Sequence, residues 1–241
     1  MPTQLSQVPE ALQSDFDIVG DSGFFADPQQ LFLDSLVKDP RDIVYTPHNG
    51  GHWLITSHEL AREVLSNAEL FGSFPIGIPA NMEQRPRLIP LESEAKEHRR
   101  YRRLLLPIFE PTAVARLQTG AEALASEVLD EVLPTGEFDF LWKVAKPISM
   151  GLFVRQLGLE PERLDEFYAW ETGFYRAPTM EERIVCGEKI GGYLFEVVTQ
   201  HVDHPKDDIV DMLLNVDVEG EKLSLEEVHA ICYLLFLASI D

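Results

Sequence analysis

Cationic side chains are scarce in this sequence. Its 20 lysines and arginines stand against 41 aspartates and glutamates, a formal net charge of −21. A surface that acidic repels a phosphate backbone, so general nucleic-acid binding is excluded. Cysteine is scarcer still: Cys186 and Cys232 are the two present, both in apolar helical contexts without zinc-ligand spacing. That excludes a disulfide scaffold and points to free thiols in a reducing cytoplasm. Met1 to Glu10 lacks a basic segment followed by an apolar one, so no secretory signal opens the sequence. Long apolar runs are missing as well. The longest, Ile231 to Ile240, has about half of the roughly 20 residues a membrane-spanning helix needs, and a soluble protein without membrane association is expected. No G-x-G-x-x-G fingerprint, phosphate loop or nucleophile elbow occurs. His48, His52, His58, His201, His204 and His229 show no ligand spacing.

What is present suffices for a core: 241 residues, 45% of them hydrophobic, read as one domain over 1–241. The stretch 1–25 reads as a surface arm. Ile43 to Thr46 and His52 to Thr56 are β-prone runs around Pro47-His48-Asn49-Gly50-Gly51, which predicts a hairpin. Ser57 caps a following helix through Ala68. Four prolines, Pro75, Pro79, Pro86 and Pro90, break 71–90 into a long irregular loop. Beyond it, helical spacing runs from Val114 to Val132, Phe138 to Leu157, Pro161 to Tyr175, Thr179 to His201 and Asp207 to Leu214. A small hairpin or loop surrounds Gly220, and Ser224-Leu225-Glu226-Glu227 is a capping box that opens the last helix. The class is mainly α with minor β. Asp241 directly follows the most apolar helical segment, so this is expected to be the front part of a longer protein.

Two segments carry chemistry. Within 94–106, Lys96, Arg99, Arg100, Arg102 and Arg103 concentrate five of the 20 basic residues. On a helix, His98, Arg102 and Leu105 form one stripe, while Lys96, Arg99, Arg100 and Arg103 gather opposite. The first stripe suits a ligand with a charged edge and a greasy body, and the second an acidic protein surface. In the other segment, 224–241, Leu234, Leu237, Ala238 and Asp241 share a helical face, an apolar stripe that ends in a carboxylate. Ala238-Ser239 beside it would let a group approach the backbone closely. A solvated basic helix and a core helix that reaches the surface are the plain alternatives.

The sequence resembles the cytochromes P-450, in particular the soluble bacterial branch that includes the camphor hydroxylase. Val8-Pro9-Glu10, Asp15-Phe16-Asp17, Asn49-Gly50-Gly51-His52-Trp53 and Arg62-Glu63 match the opening of that branch. His98 with Arg102 matches the family's helix C pair, whose side chains hold a haem propionate. Leu237-Ala238-Ser239-Ile240-Asp241 matches the start of the helix I signature, an Ala/Gly-Gly-x-Asp/Glu-Thr run. Two motifs in the family's order outweigh the plain alternatives. The resemblance implies the N-terminal part of the P-450 fold, from the β-hairpin region through helices A to I, and a haem b whose axial cysteine is expected beyond residue 241. Ser239 departs from the signature's second glycine. Pro86 falls, in ungapped alignment, where the camphor enzyme carries a substrate-binding tyrosine.

The resulting expectation is a haem-thiolate monooxygenase, incomplete over these residues, that hydroxylates a small apolar terpenoid or cyclic ketone with dioxygen. Its electrons would come from an acidic 2Fe–2S ferredoxin and the ferredoxin's reductase. His98 and Arg102 are assigned to the cofactor and Asp241 to proton relay. Phe74, Ile76, Ile78, Pro86, Leu88, Leu234, Leu237 and Ala238 are assigned to substrate, and Arg99, Arg100 and Arg103 to the redox partner. The rival reading is a non-catalytic helical fragment that recognises some other acidic partner.

Overall fold

The computed structural model describes residues 5–21, 26–78, 85–218 and 220–239. The chain forms two compact units, 1–83 and 84–241.

The first unit is built on the expected hairpin. Strands β1 (Ile43–Thr46) and β2 (His52–Ile55) pair antiparallel, with Ile43 opposite Ile55 and Thr46 opposite His52. Asn49, Gly50 and Gly51 all take positive φ in the connection. At Gly51 (φ 80°) a Cβ would also collide with the Tyr45 hydroxyl, so the turn depends on the missing side chain. Helix α1 (Pro28–Phe32) opens on Asp27, whose carboxylate accepts from the Gln30 amide, and runs on as a wider turn to Val37. Helix α2 (His58–Ser66) is capped by Ser57 as expected and ends at Ser66, two residues short of Ala68. The N-terminal arm contributes to the core: Phe16 is buried with Leu36 and Val44. The Thr46 hydroxyl donates to the Phe16 carbonyl at 2.7 Å and so pins the arm to β1.

The second unit is helical. Its helices are α3 (Ala95–Leu105), α4 (Pro111–Val132), α5 (Lys146–Gln156), α6 (Leu164–Arg176), α7 (Met180–Asp203), α8 (Ile209–Asn215) and α9 (Leu225–Ala238). A two-residue ribbon, β3 (Asp217–Val218) with β4 (Glu221–Lys222), sits between the last two. Helix starts follow local chemistry. Thr179 with Glu182 and Ser224 with Glu227 form reciprocal capping boxes, and Asp208 accepts from the Val210 and Asp211 amides. The core is aromatic where α6, α7 and α9 meet: Phe167 lies 5.1 Å from Tyr193 and 5.8 Å, edge to face, from Phe236. Arg163 stacks on Tyr193 at 4.4 Å. No helix among the described residues is long and apolar enough to cross a membrane.

Candidate functional site

Helix α3 presents its cations on two sides because Tyr101, Leu104 and Leu105 turn into the core. Arg102 and Arg103 occupy its last turn, where the helix dipole favours positive charge. His98 and Arg102 lie one turn apart on the exposed surface. Among the described residues, neither side chain has a hydrogen bond or an ion pair. Such a pair is open to an anion.

The other cations divide. Lys96, Arg99 and Arg103 are exposed. Arg100, expected beside them on the docking face, instead turns inward and pairs with Glu227 of α9 at 2.9 Å. Tyr101 donates its hydroxyl to the same Glu227 oxygen at 2.5 Å, and the other carboxylate oxygen accepts from the Ser224 amide at 2.7 Å. Burial opposes ionisation of Glu227, but Tyr101, Ser224 and Arg100 outweigh it and hold the carboxyl below its usual range. Burial, reinforced by Glu227, pushes the Tyr101 phenol up, so it remains a donor. Glu227 therefore both caps α9 and fastens it to α3.

The segment leading into α3 is stapled by a pair that sequence reading missed. Glu92 is fully buried, and Arg85 meets it through two hydrogen bonds of 2.5 and 2.8 Å. The Leu88 amide donates to the same carboxylate at 2.8 Å. Arg87 donates to the Glu92 carbonyl and reaches Glu97 on α3. A basic pair followed by a lone acid in a proline-rich stretch was the available signal.

The residues expected to face substrate belong to both units. Phe74, Ile76 and Ile78, in the first unit, are 58%, 50% and 40% exposed. In the second unit, Leu88 and Leu237 belong to the main core. Pro86 lies against Gly191 of α7. Leu234 is half-buried and Ala238 exposed. At the end of α9 the Ser239 hydroxyl bonds back to the Phe236 carbonyl at 2.9 Å, and its own carbonyl accepts from Ser149 at 2.5 Å. Asp241 lies outside the described residues. Burial pushes the Cys232 thiol up to about 12, which keeps it protonated. On α9, the Tyr233 hydroxyl is buried with no hydrogen-bond partner among the described residues.

A further cluster comes from residues to which the sequence assigned nothing. His201 at the end of α7 meets Asp208 at 2.9 Å, and Asp211 completes a group whose ligand atoms all lie within 4.8 Å of one another.

The architecture is the N-terminal portion of the cytochrome P450 fold, mainly helical with a small sheet. No protein-family model matches the chain, but its curated homologues are cytochromes P450. A steroid C26-monooxygenase of Mycolicibacterium smegmatis is 25% identical over 200 residues, which is 78% of this chain and 47% of that protein. The probable cytochrome P450 127A1 of Sinorhizobium fredii is 25% identical over 242 residues, 97% of this chain and 58% of its own length. Among solved structures, that of CYP101J2 superimposes with a TM-score of 0.79 at 26% identity, covering 99% of this chain and 60% of that one. The chain spans about half the length of the curated relatives it matches.

Proposed function

We propose that this chain forms the cofactor- and oxygen-side front half of a cytoplasmic haem-dependent monooxygenase that hydroxylates a small, weakly polar molecule. The observation that carries this reading is the exposed pair His98 and Arg102, side by side on α3 without partners among the described residues. Their chemistry fits the carboxylate edge of a haem: a guanidinium offers a planar fork of donors and an imidazole one more. Bound haem would supply the activation of dioxygen. The residues of this chain do the remainder. His98 and Arg102 neutralise and orient the propionate. Glu227 fixes the spacing between α3 and α9, and Asp241 moves protons at its carboxylate. Support for a redox partner comes from Arg99 and Arg103, exposed on the outer face of α3. They suit an acidic ferredoxin, whereas Arg100 is already engaged by Glu227. The apolar character of Phe74, Ile76, Ile78, Leu234 and Ala238 supports an uncharged substrate bound mainly through burial of its carbon surface.

The test is haem occupancy and midpoint potential in the haem-loaded protein that contains this chain. Arg102→Ala is expected to lower the first or shift the second. Both unchanged would remove Arg102 from the cofactor site and favour a helical fragment that recognises another acidic partner.

A further inference from the structure

The His201 cluster poses a protonation problem. Its Nδ1 lies 2.7 Å from the Val197 carbonyl, and its Nε2 lies 2.9 Å from Asp208 Oδ2. Both neighbours are acceptors, and a neutral imidazole has one N–H to give. With that proton on Nδ1, the Nε2 lone pair faces a carboxylate, an arrangement that calls for a second proton or a cation in between. The ring is 2% exposed and Asp211 8%.

A divalent ion held by the ring nitrogen would balance the carboxylates of Asp208 and Asp211 together. Lys206, the nearest lysine in sequence, directs its ammonium to the Gly158 carbonyl at 3.1 Å. Asp211 Oδ1 is buried and has no hydrogen-bond partner among the described residues, an orphaned acceptor of the kind a bound cation satisfies.

The surroundings also have the form of a ligand set with its supports. Asp208 Oδ1 is anchored by the Val210 and Asp211 amides at 2.9 and 3.2 Å. Asp211 Oδ2 accepts from the Lys206 and Asp207 amides. Each carboxylate thus has one oxygen fixed by two backbone N–H groups, and the histidine is oriented by a backbone carbonyl, as outer contacts orient metal ligands. At Gly158 (φ 60°) a Cβ would collide with Asp208 Oδ2, so the glycine makes room for that oxygen. Asp208 also lines a cleft of about 400 Å³ with Arg155, Gln156 and Met212.

We propose that His201 Nε2, Asp208 Oδ2 and a carboxylate oxygen of Asp211 bind one divalent transition-metal ion that ties the end of α7 to the start of α8. One imidazole with two carboxylates suits first-row ions such as zinc or manganese. This site is independent of the haem reading.

The test uses the haem-loaded protein that contains this chain, after chelator treatment, titrated calorimetrically with zinc chloride. One ion per chain is expected. Asp211→Asn and His201→Gln are each expected to weaken binding at least about 10-fold, the scale seen even when an outer contact is lost, while His204→Gln, an exposed neighbour on the same turn, leaves it unchanged. Absence of stoichiometric binding, wild-type affinity in Asp211→Asn, or an equal loss in His204→Gln would each overturn the proposal. Should the His201 variant fail to fold, nitrogen-15 NMR of the wild-type ring decides. Nε2 is expected to lack a proton and to shift on addition of zinc, and a ring that stays doubly protonated in saturating zinc overturns the site.

Discussion

Replacing Arg85 with methionine should be among the most damaging single changes in the second unit, although Arg85 sits in an irregular segment. Glu92 has no exposed surface, and Arg85, with 11% of its side chain exposed, supplies the cation beside it through hydrogen bonds of 2.5 and 2.8 Å. Methionine retains much of the arginine's apolar volume but leaves the Glu92 carboxylate buried without that charge. Removing one partner of a buried ion pair costs about 3–5 kcal/mol, against about 0–1 kcal/mol for an exposed pair. Pairing Arg85→Met with Glu92→Leu removes the stranded charge. The Leu88 amide then loses its acceptor, at about 1–3 kcal/mol. The double variant should therefore be more stable than Arg85→Met alone, a non-additivity measurable by urea denaturation followed by far-ultraviolet circular dichroism. A loss below about 1 kcal/mol in Arg85→Met, typical of an exposed pair, would refute the argument. So would a double variant weaker than both singles combined.

Acid should weaken the fold in two stages. Burial holds His229 neutral below its ordinary 6.5, so the unfolded chain takes up that proton first and stability declines as pH falls through the folded value. Glu227, whose folded value lies below 4.5, adds stability above 4.5 that is lost at lower pH, and Glu227→Gln should flatten that second stage in urea midpoints taken across the range. Leu237→Phe should destabilise by about 1–3 kcal/mol through overpacking, whereas Tyr233→Phe, which removes a buried hydroxyl lacking a partner, should be neutral or stabilising. Urea midpoints reversed in order would contradict both placements. Arg99→Glu should slow reduction by an acidic ferredoxin and reduce the salt dependence of that rate, with substrate affinity unaltered. A stopped-flow rate equal to wild type would take Arg99 out of the docking face.

Much of the fold was legible because local chemistry dictates it. The hairpin 43–55 follows from β-prone runs around a turn that needs positive φ. Ser57 and Ser224 announce helices because their hydroxyls satisfy amides within three residues. Thr179 and Glu182 form the same box and were readable on the same rule. The exposed stripe of His98 and Arg102 follows from spacing alone. What escaped depends on partners distant in sequence. Nothing local to Arg100 tells that Glu227, 127 residues away, draws it inward. Leu237 shares a helical face with Ala238, but the aromatic cluster of α6 and α7 decides that one is buried and the other exposed. The His201 cluster pairs the end of one helix with the cap of the next across a bend at Asp207, so no fixed ligand spacing reports it.

Haem retention separates the assigned cofactor contact from a general effect of charge. In the haem-loaded protein, His98→Ala with Arg102→Ala should release haem several-fold faster to an apoprotein acceptor than wild type. Lys96→Ala with Arg99→Ala, a comparable loss of positive charge elsewhere on the exposed surface of α3, should release it at the wild-type rate. Equal rates in the two double variants would contradict the claim that His98 and Arg102 form the propionate site.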